Sequence, residues 1–218
     1  MSRFLTAASR AGLLLVALPP VLIGGFVLHS MATHGLNGVS DQADLARRAS
    51  YPLAMVLHVL GGSAMVTLGL LQFSATLRRR APGLHRWMGR ALLALGAGFA
   101  LTGLWMNASP LALPETQLHD GAQNIMSAAF LAVAALGIAA ARRRDFAAHR
   151  AWMFRAYAIS MGAGTQTLIL FPVFLTTGKV EGLAADLVFI GAWVLNLALA
   201  EVLIARPRAA RPSRPALA

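Results

Sequence analysis

The segment Arg78-Arg79-Arg80-Ala81-Pro82-Gly83-Leu84-His85-Arg86-Trp87-Met88-Gly89-Arg90 lies between two long apolar runs and recurs further along the chain. The second copy is Arg142-Arg143-Arg144-Asp145-Phe146-Ala147-Ala148-His149-Arg150-Ala151-Trp152-Met153-Phe154-Arg155. Each copy has three arginines, a His-Arg pair, a Trp-Met pair and a further arginine, and the second copy has one inserted residue. Such a repeat is typical of a duplicated supersecondary unit. The unit predicted here is an apolar helix, a basic loop and a second apolar helix.

The composition indicates an integral membrane protein. The chain has 218 residues, of which 57% are hydrophobic and only 12% charged, so it has too little polar surface to cover a water-soluble globule. The formal charge of +11 comes from short arginine clusters between apolar runs, which favours membrane topology over a nucleic-acid partner. The chain has no cysteine. This absence excludes disulfides, iron–sulfur clusters, thiolate catalysis and covalent c-type haem attachment.

The apolar runs predict an all-α membrane protein with six transmembrane helices, because each run has about the 20 residues needed to cross the hydrocarbon. The predicted spans are about 11–28, 52–77, 85–107, 119–141, 149–177 and 183–205. Spans two to five should form a four-helix bundle with internal duplication, with repeat units of about 51–107 and 114–177. Residues 1–10 form the N-terminus and 11–205 the membrane domain. The basic, proline-containing tail 206–218 is predicted to be disordered.

The first apolar run has a second interpretation as a signal peptide, since Arg3 and Arg10 precede it and Ser30-Met31-Ala32 is an acceptable cleavage context. We favour a retained span, because the run is longer than the usual apolar region of a signal peptide.

The arginines predict the orientation. All but three of the 19 lysines and arginines belong to the N-terminus, the two His-Arg segments and the C-terminal tail; the exceptions are Arg47, Arg48 and Lys179. The positive-inside rule therefore places both termini in the cytoplasm.

Histidines occur once on each of spans two to five. His58 and His119 follow the outer ends of spans two and four, whereas His85 and His149 open spans three and five at the inner face. Counting residues to the tri-arginine segments gives His58 and His119 a difference in depth of about 4–5 Å. An ionisable group inside an apolar span is costly, which makes His58 a functional candidate.

This arrangement predicts two b-type haems, one above the other. A b-type haem needs two imidazoles from separate helices on opposite faces of a planar ring, in an apolar slot that excludes water. Arg86 and Arg150 are available for the propionates, and glycines in the spans could let the ring approach the backbone. Two haems would conduct electrons between a quinone or small reductant and an acceptor.

Simpler interpretations exist for the same residues. Interfacial histidines beside arginines, such as His85 and His149, often contact lipid headgroups or cap loops. The glycines fit close helix packing, and the arginines fit topology or anionic lipid. A lone metal site at His58 and His119 lacks an apparent third ligand. The alternative function is therefore a non-redox membrane protein, either a small transporter or an accessory subunit, whose His-Arg loops contact lipid or an anionic ligand.

Two resemblances follow from these residues. The segment Gly69-Leu70-Leu71-Gln72-Phe73-Ser74-Ala75-Thr76-Leu77 with the first basic copy, together with His149-Arg150-Ala151-Trp152-Met153-Phe154-Arg155-Ala156-Tyr157-Ala158, resembles domain-of-unknown-function family 2306, uncharacterised bacterial membrane proteins, over roughly 55–167. This resemblance implies a multi-pass protein of the bacterial inner membrane and no assigned activity. The arrangement of helices and histidines is also similar, more loosely, to the cytochrome b-561 proteins, which are di-haem electron carriers. That similarity implies that His58 and His119 ligate an outer haem, and His85 and His149 an inner one.

The expected partners are therefore the lipid bilayer and a quinone or small reductant, with no nucleic acid. The sequence leaves a homo-oligomer open.

Overall fold

The computed structural model describes residues 7–34, 50–108, 117–177 and 182–206, and in this part of the chain all regular structure is helical. The helices are α1 (Ala7–His34), α2 (Pro52–Gln72), α3 (Ala75–Arg80), α4 (Pro82–Asn107), α5 (Gln117–Arg142), α6 (Phe146–Ser160), α7 (Gly162–Thr177) and α8 (Gly182–Ala205). The predicted all-α membrane fold is confirmed. Within these described ranges, six segments are long and apolar enough to span a membrane, and the fifth consists of α6 and α7 together. The predictions for residues 1–6 and for tail residues 207–218 lie outside the described residues.

Four helices form the central bundle as two antiparallel pairs. Helix α2 packs along α4, and α5 packs along α6; α4 also contacts α5, and α2 contacts α6, which closes the ring. Helix α1 packs on α2 and α7, while α8 packs on α5, α6 and α7. The helices approach closely: a methyl group on Gly61 of α2 would lie 2.6 Å from the Leu95 carbonyl oxygen of α4. The glycine is needed there for helix packing.

Bulky side chains fill the bundle at mid-depth. Phe130 of α5 is 1% exposed and Met65 of α2 is 5% exposed, and both belong to one apolar cluster with Leu92 and Ala100 of α4. A second cluster joins α1, α2 and α6 through Ala17, Val66, Tyr157 and Met161. These contacts hold the two helix pairs together.

The first basic segment differs from its prediction as the continuation of a span to residue 77. Helix α2 ends at Gln72, and the Ser74 hydroxyl accepts a hydrogen bond of 3.3 Å from the Leu77 N–H. Serine is a favoured N-cap residue because its oxygen satisfies an N–H that the helix leaves without a partner. The three arginines therefore lie on a separate short helix, α3.

The second basic segment instead continues α5 and then turns sharply. Arg144 has a positive φ of 61°, its N–H donates to Ala141 O, and the Asp145 N–H donates to Ala140 O. This pair of bonds is a Schellman ending. The Asp145 carboxylate then caps α6 by accepting from the Ala148 N–H at 2.9 Å. The two repeats thus have different inner turns.

Candidate functional site

His58 lies on α2 and faces α4. Its Nδ1 is 3.0 Å from the Phe99 carbonyl oxygen and 3.4 Å from the Thr102 hydroxyl, and its ring centre is 4.3 Å from that of Phe99. A carbonyl oxygen only accepts hydrogen bonds, so Nδ1 carries the proton in this arrangement. The lone pair is then on Nε2, the nitrogen that would bind a metal.

His149 repeats this arrangement in the second helix pair. Its Nδ1 is 2.9 Å from the Gly137 carbonyl oxygen of α5, so His149 is also held as the Nδ1–H tautomer. Metal-binding histidines characteristically donate their second nitrogen to a carbonyl or carboxylate in this way, which fixes the ring. The repeat therefore contains two oriented imidazoles, one from α2 and one from α6.

His85 lies in the first turn of α4, and no such carbonyl holds it. Its Nδ1 is buried and has no hydrogen-bond partner, and the same is true of Gln72 Nε2. The Gln72 amide faces α4 at Gly89, where a methyl group would lie 3.3 Å from Oε1. Arg78, Arg86 and His149 lie close enough to His85 to influence it. His85 and His149 thus lie near each other at the inner end of the bundle.

His119 lies on α5, and its ring packs edge-on against Phe189 of α8, with the centres 4.2 Å apart. His58 and His119 therefore contact different helices. Their depths also differ. Phe99 marks the depth of His58 on α4 and lies 14 residues from His85, which is about 21 Å along the helix. Gly137 marks the depth of His149 on α5 and lies 18 residues from His119, which is about 27 Å. His119 therefore lies about 6 Å further out than His58. This difference in depth is slightly larger than the value of about 4–5 Å predicted from the tri-arginine segments.

Polar side chains form a network near His58 at the outer end of the bundle. A methyl group on Gly103 would lie 3.3 Å from His58 Cε1, 3.5 Å from Ser127 Oγ and 3.6 Å from Gln123 Nε2. Gln123 is one turn deeper than His119, so α5 presents Gln123 at the depth of His58.

The buried amide of Asn107 completes this network by joining α4 to α5. Its Nδ2 donates to Asn124 Oδ1 at 3.0 Å, to Gln123 Oε1 at 3.3 Å and to the Asp120 carbonyl at 3.4 Å. Polar residues within apolar runs, such as Gln123 and Asn124, predict interhelical hydrogen bonds, but the sequence does not place them beside His58. The available signal was polar residues at the end of α4 and at four-residue spacing, Asp120 and Asn124, in the start of α5.

The predicted propionate partners lie at the inner surface. Arg86 is exposed in the first turn of α4, directly after His85, and Arg150 is partly buried beside His149. Arg155 takes a different role, because its guanidinium donates to both carboxylate oxygens of Glu201 on α8, at 2.6 and 2.8 Å. Arg86 and Arg150 thus both lie next to the inner histidines in sequence.

Side chains already lie against glycines along the length of the bundle. Several glycines that could admit a ring are instead contacted by neighbouring side chains: Gly62 by Phe99, Gly69 by Tyr157 and Gly96 by Phe130. At the inner end, Gln72 Nε2 and His85 Nδ1 are buried without hydrogen-bond partners, which is typical of a place where a further group binds. Within the described ranges, no group of three or more histidines and carboxylates could hold a bare metal ion.

Comparison with known proteins gives one match. The family model described as predicted membrane protein (DUF2306) matches residues 55–204. The chain belongs to this family. The match confirms the first resemblance and extends it from span two to the end of span six. No curated protein and no solved structure matches the chain. Membership in DUF2306 establishes a membrane protein, and the chemistry has to be argued from the site.

Proposed function

We propose that this protein is a b-type haem electron carrier of the bacterial inner membrane, with both termini in the cytoplasm. The observation that carries the proposal is the orientation of His58 and His149 by an Nδ1–H bond to a carbonyl of the neighbouring helix. Any partly buried histidine is stabilised by such a bond, and an axial ligand also gains a fixed ring and a more basic Nε2 from it. The two oriented rings lie at opposite ends of the bundle.

The inner pair, His85 and His149, is the first choice for axial ligands. The two residues open α4 and α6, which are diagonal in the bundle, and His149 is among the groups that influence His85. Arg86 and Arg150 follow them directly in sequence and would bind the propionates. A haem held there would supply one-electron oxidation and reduction, and the four side chains would orient it and neutralise its carboxylates.

The outer pair is His58 and His119. His58 already has the tautomer of an axial ligand, but His119 is about one turn too far out and contacts Phe189. A haem at this depth therefore requires α5 to shift or the His119 ring to leave α8. The electron partners would be a quinone or small reductant at one face and an acceptor at the other.

The test is a reduced-minus-oxidised absorption spectrum of the detergent-purified protein, expressed with ample haem. We expect sharp low-spin b-type bands. His149→Ala and His85→Ala should each remove the inner component completely, and His58→Ala should remove the outer one. His29→Ala is the matched control, because His29 is an exposed histidine of α1 outside the bundle, and it should leave the spectrum unchanged.

A colourless protein, or bands that all four variants leave intact, would contradict the haem proposal. In that case the His-Arg segments belong to a non-redox membrane protein.

A further inference from the structure

The two repeats hold their inner histidines differently. Gly137, whose carbonyl accepts from His149, lies five residues before Arg142. The position five residues before Arg78 is Phe73, where α2 has ended and the chain turns into α3. The break removes the regular helix from which a carbonyl would reach His85. His85 Nδ1 is left buried without a partner.

A second buried donor lies next to it. Gln72 Nε2 also has no hydrogen-bond partner, and its amide faces Gly89, one helical turn from His85 along α4. Buried polar atoms are nearly always satisfied in folded proteins, and an exception commonly marks an unseen water, ion or ligand. Two exceptions at one place therefore point to a bound group with oxygen acceptors.

The charge at this place is positive and uncompensated. Arg78 Nη1 donates to the Gln72 carbonyl oxygen at 3.1 Å, and in the described part of the chain no carboxylate pairs with Arg78. Burial, and then the neighbouring charge of Arg79, lower the pKa of the Arg78 guanidinium from its ordinary value. Arginine remains charged nonetheless, so an anion would relieve both the desolvation and the repulsion. Position 142, the counterpart of Arg78 in the second repeat, is exposed.

We propose that Gln72, Arg78 and His85 bind a phosphate oxyanion at the inner end of the first repeat. The guanidinium supplies the charge, and the Gln72 amide and His85 Nδ1–H donate to phosphate oxygens. The phosphate would orient the His85 ring in the way that the Gly137 carbonyl orients the His149 ring. The Nε2 atom of His85 is not used, so phosphate binding does not require haem. The phosphate belongs either to an anionic lipid headgroup or to free phosphate.

Binding of phosphatidylglycerol to the delipidated protein, measured by native mass spectrometry in detergent, tests the proposal. We expect one tightly bound lipid. Arg78→Gln and Gln72→Leu should each weaken its binding about ten-fold, because each removes one of the hydrogen bonds to a charged group. Arg142→Gln, the matched control in the second repeat, should leave the affinity within about two-fold, since an exposed arginine contributes little.

Competition with inorganic phosphate shows whether the site binds the phosphate of a lipid headgroup or free phosphate. Displacement of the lipid by phosphate at millimolar concentration supports a site for free phosphate, and failure to displace it supports a lipid headgroup. The proposal is overturned if neither probe binds in a one-to-one ratio, or if Arg142→Gln weakens binding as much as Arg78→Gln does. Gel filtration of each variant, together with Arg78→Lys, which keeps the charge, separates loss of the site from misfolding. Unchanged haem bands in Arg78→Gln would separate this site from the haem proposal.

Discussion

At the scale of single residues, Tyr157 joins the two repeats. It is 8% exposed, its hydroxyl donates to the Val66 carbonyl at 2.9 Å, and its ring lies against Gly69 and edge-on to Phe73. Each of these contacts crosses from α6 to α2. The packing of the bundle therefore depends on the ring more than on the hydroxyl, because interhelical hydrogen bonds in membranes are individually weak.

Tyr157→Phe should lower the free energy of unfolding by about 0.5–1 kcal/mol, the usual contribution of such a bond. Tyr157→Ala should lower it by about 3 kcal/mol or more, because it also leaves a cavity. Denaturant titration in detergent micelles measures both values. Trp87→Phe serves as the control, since Trp87 is 67% exposed. If both Tyr157 variants lowered the free energy of unfolding equally, the ring would not contribute more than the hydroxyl, and the prediction would be wrong.

At the scale of helices, the turn between α5 and α6 combines a favourable cap with an unfavourable residue. The Asp145 carboxylate caps α6, whereas Arg144 takes the left-handed conformation that glycine usually occupies at this position of a Schellman ending. A side chain in that conformation costs roughly 1–2 kcal/mol. The turn stays tight because the two hydrogen bonds to Ala140 O and Ala141 O hold it.

Arg144→Gly should raise the free energy of unfolding by up to about 1 kcal/mol, because glycine adopts a positive φ without strain. Asp145→Ala should lower it by about 1 kcal/mol through loss of the cap. Arg143→Gly is the control for lost charge: among the described residues only Arg144 is a non-glycine with positive φ, so this change should not stabilise. A gain of equal size in both glycine variants would indicate charge repulsion as the cause.

At the scale of the whole molecule, six spans place the two basic segments on one face of the membrane and the loop after α4 on the other. The chain has no cysteine, so single cysteines are unique labels. Arg79, Arg143 and Ala108 are exposed and mark the two faces.

Arg79→Cys and Arg143→Cys should react with a membrane-impermeant maleimide only in inside-out vesicles, and Ala108→Cys only in intact spheroplasts. This pattern is expected because the positive-inside rule places the arginine-rich segments on the cytoplasmic face. The measurement is the labelled fraction on a gel. The reverse pattern would place the termini outside, and labelling of Arg79→Cys and Arg143→Cys from different sides would contradict six spans.

The spans could be predicted from the sequence because a bilayer demands long apolar helices. Their interruptions could not. The apolar composition continues through Phe73 and Met161, where α2 and α6 end. The positions of these helix ends depend on packing against neighbouring helices, which the sequence does not show. The sequence also placed one histidine on each of four spans, but spans that are apolar on every side do not reveal which neighbour each ring faces. His119 against Phe189, and Arg155 paired with Glu201 46 residues away, are set by tertiary packing.

The two helix pairs run in the same direction, since one begins two spans after the other. Carriers that open alternately to the two sides of a membrane are often built from oppositely oriented halves, whose exchange of shape turns an outward-open state into an inward-open one. Halves with a common direction lack that symmetry, because exchanging their shapes reproduces the same opening, although parallel repeats also occur in transporters. In this molecule an exchange of shapes between the two helix pairs would therefore not by itself move an opening from one face of the membrane to the other.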